Sequence, residues 1–136
     1  MERTLERLAT ARKALGSLQA LPLDEDVSDI VRDAAIQRFE YTFEAVSKAA
    51  QRYLRDIEGL ELGSPKSVAR ACFQVGILSE EEVRLSLAMV DDRNPTVHTY
   101  NEGLAQQIFS KLLGYAQLMD GWLKAMEKRL SGEPLV

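Results

Sequence analysis

One apolar stripe restricts the fold of this chain more than any other feature. Val31, Ala35, Phe39, Phe43, Val46, Ala50, Tyr53, Leu54 and Ile57 recur at helical spacing. That period gathers the apolar side chains on one face of an α-helix, where a strand would need strict alternation. Ser28 or Asp26 can cap the start, and Gly59 supplies the stop. At 1.5 Å per residue the helix is roughly 45 Å long, which makes it the main pillar of a helical bundle.

The remaining stretches supply its neighbours. Residues 4–20 form a first helix with Leu5, Leu8, Leu15 and Leu18 on its apolar side, and Pro22 ends it. Leu23-Asp24-Glu25-Asp26 is a solvated acidic connection. After the turn at Glu58–Ser64, Ser64 caps a third helix that starts on Pro65. Val68, Ala69, Cys72, Phe73 and Val75 give this helix an apolar side, and Gly76 interrupts it. Ser79 and Glu82 then form a capping box, followed by Val83, Leu85, Leu87, Met89 and Val90 up to Arg93. The stretch 65–93 therefore reads as a third helix broken into two parts. The last helix runs from the 95–99 region to about Leu130, with Leu104, Ile108, Leu112, Tyr115, Met119, Trp122, Leu123, Met126 and Leu130 on its stripe. Gly103, Gly114 and Gly121 interrupt it in a way that suggests close packing, and Ser131–Val136 reads as a frayed tail. No β pattern occurs. The expected fold class is all-α, an up-and-down bundle of four main helices (four to five in all).

Charge and cysteine content narrow the function. The chain has 136 residues and a net charge of −4, so it is long enough for one core and lacks a broad basic face for nucleic acid. Any RNA contact has to be local. The single cysteine, Cys72, excludes an intrachain disulfide and a cysteine metal cluster, and its Ala-rich surroundings suit a small buried hydrophobe. No apolar run is long enough to span a membrane, and the charged N-terminus lacks a signal-peptide core. The expectation is a cytoplasmic protein without a membrane anchor. Tyr41 lies off the stripe of its helix, exposed or on an oligomer face.

One segment stands apart, Asp91-Asp92-Arg93-Asn94-Pro95-Thr96-Val97-His98-Thr99-Tyr100-Asn101-Glu102. It holds the only histidine and the strongest turn signal between two helical patterns. Pro95 disfavours helix at Asn94, so the arriving helix ends by about Arg93. The next helix starts in one of two registers. Asn94 is its N-cap with Pro95 at the first position, or Thr99 is its N-cap and Glu102 completes a Thr-x-x-Glu capping box. Both registers put Arg93 and His98 near the positive end of a helix dipole with free N–H donors, a suitable place for a phosphate. The same field favours a neutral imidazole able to act as a base.

Arg93 and His98 are the candidate catalytic pair, with Asn94 as an added donor. A neutral imidazole can take a proton from a ribose 2′-hydroxyl or return one to a leaving oxygen. A guanidinium fork can hold a phosphate and stabilise the charge of its transition state. Metal catalysis is disfavoured by a single histidine and scattered carboxylates, and no glycine-rich phosphate loop occurs, so no cofactor is expected. Asp91 and Asp92 sit next to a turn, an ordinary home for carboxylates. Trp122 and Met126 belong to the core or to a dimer interface.

Arg93-Asn-Pro-Thr-Val-His98-Thr-Tyr100 fits the Arg-x4-His-x-Tyr motif and resembles the HEPN superfamily. The resemblance is closest to the nucleotidyltransferase substrate-binding proteins and their HepT-type toxin relatives, and it covers nearly the whole chain, 1–136, as one HEPN-like helical-bundle domain. It implies a homodimer that brings two copies of the Arg93/His98 segment into one cleft. It implies a partner, a minimal nucleotidyltransferase encoded beside it. It also implies one of two roles. In the first, the chain is a metal-independent ribonuclease toxin acting on RNA, with His98 as general acid/base, Arg93 as phosphate clamp and Asn94 as polar neighbour. Tyr100 then matches the tyrosine that receives AMP from the partner. In the second, the chain is a non-catalytic subunit that helps the nucleotidyltransferase bind its substrate.

Overall fold

The computed structural model describes residues 1–93 and 101–132. Among them are five helices and no strand: α1 (Glu2–Gln19), α2 (Asp29–Glu58), α3 (Pro65–Gln74), α4 (Glu80–Asp92) and α5 (Glu102–Ser131). No helix among the described residues is long and apolar enough to cross a membrane.

α2 runs as one 30-residue helix. The Ser28 hydroxyl accepts from the N–H of Val31 at 3.3 Å and caps it, and Gly59 closes it at φ 70°. Its stripe is the spine of the core, with Ala35, Phe39, Phe43, Val46, Ala50, Tyr53 and Leu54 all buried. α1 lies antiparallel to it: Thr4 reaches Asp56, while Ser17 reaches Tyr41. α5 runs parallel to α2, since Arg32 meets Glu102 near both helix starts and Glu58 meets Arg129 near both ends. α4 is antiparallel to α5, with Asp92 against Tyr115 and Glu82 against Gly121. The four main helices α1, α2, α4 and α5 thus alternate in direction. Arg12 ties α1 to α5 through Asp120 at 2.5 Å and Glu127 at 2.7 Å.

The stretch 65–93 is not one broken helix but a hairpin. Lys66, near the start of α3, lies 3.0 Å from Asp91, near the end of α4. Two devices make the reversal. Gly76 takes φ +84°, and the N–H groups of Ile77 and Leu78 both donate to the carbonyl of Cys72. Ser64 and Ser79 cap the two helices, each in a capping box, with Ser67 and Glu82 at the third positions.

Four apolar expectations change. Leu5 is 53% exposed, and Thr4 takes its place inside because its hydroxyl finds the Asp56 carboxylate at 2.7 Å. Phe73 and Leu85 face outward, while Ser86 is buried with its hydroxyl on the carbonyl of Val83. Ile57, at the end of the α2 stripe, is also exposed. Gly114 and Gly121 of α5 do not serve close packing against the other described helices of this chain. A Cβ on Gly114 would meet nothing within 4 Å, and one on Gly121 only Glu82 at 3.8 Å. Tyr41 is exposed, with its hydroxyl 2.7 Å from that of Ser17. Cys72 is buried as expected, and burial pushes its thiol up to about 12.

Candidate functional site

Three consecutive residues end α4, and each is held by a different helix. Asp91 pairs with Lys66 of α3 at 3.0 Å. Asp92 accepts from the hydroxyl of Tyr115 at 2.6 Å and from Lys111 at 3.2 Å, both on α5. Arg93, the C-cap, donates through Nη1 to Glu44 of α2 at 2.5 Å, and its guanidinium carbon lies 5.7 Å from the centre of the Phe43 ring. The sequence offers Asp91 and Asp92 only as ordinary turn carboxylates. Here they fasten the last turn of α4, so the backbone leaving Arg93 has a fixed origin.

The aromatic side chains below complete the support. Phe43 packs 6.5 Å from Phe39, and Phe39 stacks on Tyr115 at 5.4 Å with 19° between the ring planes. A closed circuit therefore runs Arg93–Phe43–Phe39–Tyr115–Asp92 and returns to Arg93 along the backbone. Burial, and then the bond to Asp92, holds the Tyr115 phenol well above its ordinary range, so it stays a neutral donor. A ring face and a carboxylate together fix a guanidinium in orientation as well as position.

The far side of the motif is also fastened. Asn101 is the N-cap of α5, and its Oδ1 accepts from the N–H of Leu104 at 2.9 Å. Glu102 is therefore the first residue of this helix, not the third position of a capping box that starts at Thr99. Asn94 is not its cap either. The side-chain amide of Asn101 was the local competitor, since asparagine caps at least as well as threonine. Glu102 receives Arg32 at 3.5 Å; Arg32 is buried at the start of α2 and also meets Asp29 and Asp33. Both flanks of the motif are thus tied to α2, at Arg32 and Glu44, about 18 Å apart along the helix axis.

Of the expected site residues, Arg93 is among the described residues, whereas Asn94, His98 and Tyr100 lie outside them. Sequence reasoning missed Glu44, Tyr115 and Arg32 as supports. Tyr115 read as core, which it is, and only the fold shows that its hydroxyl reaches the end of α4. Glu44 and Arg32 look like ordinary residues of a solvated face and carry no local signal.

The family model for nucleotidyltransferase substrate binding protein like proteins matches residues 6–128. No curated protein sequence matches the chain. Among solved structures, a protein from Thermus thermophilus is 59% identical, with a TM-score of 0.82 over 85% of this chain and 98% of that one. A tri-AMPylated HEPN toxin from Shewanella oneidensis, in complex with MNT antitoxin, superposes with a TM-score of 0.74 at 16% identity, over 91% of this chain and 96% of that one. A mutant of the MntA–HpeT toxin–antitoxin pair gives a TM-score of 0.74 at 15% identity, over 93% and 98%. At these low identities the last two establish a shared fold.

Proposed function

The chain belongs to the family of nucleotidyltransferase substrate binding protein like proteins, and on that premise we propose that it is the HEPN-type component of a two-gene nucleotidyltransferase module. In this reading it is a metal-independent ribonuclease toxin, silenced when its partner enzyme transfers AMP to Tyr100. The observation that carries the reading is Arg93 itself. It opens a complete Arg-x4-His-x-Tyr motif and leaves a helix end pinned by three other helices.

His98 takes the proton of a ribose 2′-hydroxyl, and the freed oxygen attacks the adjacent phosphorus. The bond to the 5′-oxygen breaks, and that oxygen leaves with a proton, so the products are a cyclic phosphate and a 5′-hydroxyl. Arg93, oriented by Phe43, exchanges its Glu44 contact for a phosphate oxygen and stabilises the charge that builds there. Asn94 adds a donor. A homodimer doubles the site by bringing two such segments together. AMP on Tyr100, added as the phenol displaces pyrophosphate from ATP, sets a bulky anion beside Arg93 and His98 and repels RNA.

The test is to incubate the purified protein with its neighbouring nucleotidyltransferase and ATP, then follow intact mass and RNA cleavage together. Wild type gains AMP and loses cleavage, whereas Tyr100→Phe keeps cleavage under the same treatment. Silencing of Tyr100→Phe would refute the assignment.

A second reading is favoured by the net charge of −4 and by the carboxylate already paired with Arg93. In it the chain is a non-catalytic subunit that helps the nucleotidyltransferase hold its substrate. It predicts stable co-purification with the enzyme and no RNA cleavage by unmodified protein.

A further inference from the structure

We propose that the cleft between α1, α2 and the connection 59–64 is a phosphate subsite that holds the backbone of single-stranded RNA on its way to Arg93. The proposal rests on the ribonuclease reading and extends it to residues outside the motif.

The cleft has a volume of about 320 Å³. Arg7 of α1 and Lys48, Arg52 and Arg55 of α2 line it, against one carboxylate, Glu61. The chain as a whole has 17 Lys and Arg against 21 Asp and Glu, so four cations on one cleft, facing the three carboxylates Glu44, Asp56 and Glu61 that pair with them, run against its composition. An acidic protein that must hold RNA needs a local basic surface of this kind.

The cations are also arranged in a line. Lys48, Arg52 and Arg55 follow at spacings of four and three on α2, one turn beyond the carboxylate of Glu44, which puts all four side chains on one face. Glu44 joins the cleft to the motif, because its carboxylate meets Lys48 at 3.5 Å and Arg93 at 2.5 Å. The cationic track from Lys48 to Arg55 is about 10 Å long, which suits two successive phosphates better than one small anion. Its cations can be released. Lys48 and Arg55 are 51% and 57% exposed, and their pairs with Glu44 and Glu61 are 3.5 and 3.6 Å long. Exposed pairs of that kind stabilise little and yield readily to a phosphate.

Arg52 is held differently. Its Nε lies 3.0 Å from Asp56, which also receives the Thr4 hydroxyl at 2.7 Å and the terminal ammonium at 3.3 Å. The bond from Thr4, then that from Arg52, lowers the Asp56 carboxyl to about 2, so this anchor is charged throughout the physiological range. The cleft wall is fixed as well, by Gln51 donating to the carbonyl of Leu62 at 2.6 Å. The arrangement is one anchored arginine flanked by two solvent-exposed cations, with Leu60 and Leu62 offering apolar contact.

The experiment measures binding of a fluorescein-labelled single-stranded RNA of about 12 nucleotides by anisotropy, in EDTA, over a series of salt concentrations. His98→Ala serves as the parent so that the probe stays intact. Adding Lys48→Glu and Arg55→Glu together should weaken binding at least tenfold. The slope of log affinity against log salt should become shallower by about 1.4 as two phosphate contacts are lost. Glu61→Gln should tighten binding about twofold, which a purely structural role would not do. Thermal unfolding of each variant checks folding, and both reversed positions are solvent-exposed.

Unchanged RNA binding by the double variant overturns the proposal. Unchanged RNA binding together with lost co-purification of the nucleotidyltransferase overturns it too, and assigns the cleft to the protein partner. The two readings separate cleanly. If protein with His98 intact cuts RNA, and cuts as well with Lys48 and Arg55 reversed, the subsite falls and the ribonuclease stands. If it binds RNA through the cleft but cuts none, the ribonuclease falls and the subsite stands.

Discussion

Two tyrosines in the core of this bundle end in opposite circumstances. The hydroxyl of Tyr115 is bonded to Asp92 at 2.6 Å, beneath Arg93. The hydroxyl of Tyr53, further along α2, has no hydrogen-bond partner among the described residues, and neither does Nε1 of Trp122. Tyr53 lies beside Arg129, and Trp122 beside the thiol of Cys72, without hydrogen-bond geometry. Both phenols are pushed upward by burial, but only one has work to do at its oxygen. The Arg93 level uses buried polarity to fix a helix end. The Trp122 level is a buried, mainly apolar core whose contribution is packing. Stability and site geometry should therefore respond to different residues.

The largest expected effect is at the Trp122 level. Trp122→Ala should lower unfolding free energy by about 3–5 kcal/mol, read by urea denaturation, because Trp122 is fully buried and its loss leaves a cavity. The tyrosines then test the contrast directly. Tyr115→Phe should cost about 1–2 kcal/mol, since Asp92 loses a charge-assisted bond in a part-buried site. Tyr53→Phe should be neutral or slightly stabilising, since it removes a hydroxyl that has no partner among the described residues. Equal losses at the two positions would break the comparison.

Gly114→Ala should raise stability by about 0.5–1 kcal/mol, because a helix-interior glycine there faces open space. A loss of stability would instead mean that a second copy covers this face. Glu44→Gln should change stability by less than about 0.5 kcal/mol, since both partners of that pair are partly exposed, yet alter cleavage several-fold by freeing Arg93. The smallest effect concerns acid. Asp56 titrates near 2 in the fold against 3.8 in the unfolded chain, so its contribution is fully present above about pH 4 and lost as pH falls through 2. The stability that the Asp56 charge gives wild type over Asp56→Asn should therefore shrink as pH falls through 2 and vanish only below it.

What the sequence made legible was local. The α2 stripe, the caps Ser28, Ser64 and Ser79 and the stops Gly59 and Gly76 act within a few residues of themselves, and all appear in the fold. What it hid depended on distant partners. Thr4 displaces Leu5 from the interior because Asp56 lies 52 positions away, and α3 folds back on α4 so that Lys66 can meet Asp91. The site divides in the same way. Arg93 stands out because it borders the turn signal and opens the motif. Glu44 and Tyr115, which aim it, lie 49 and 22 positions from it on helices that only tertiary packing brings near. The basic cleft was invisible to net charge because composition averages over a surface that the fold divides.

The most direct test of the account is RNA cleavage in EDTA by wild type beside His98→Ala, after intact mass shows Tyr100 free of AMP. The account predicts cleavage by wild type and at least a hundredfold loss in His98→Ala, with the two proteins unfolding at the same temperature. Equal cleavage by both, or none by clean unmodified wild type, would contradict it.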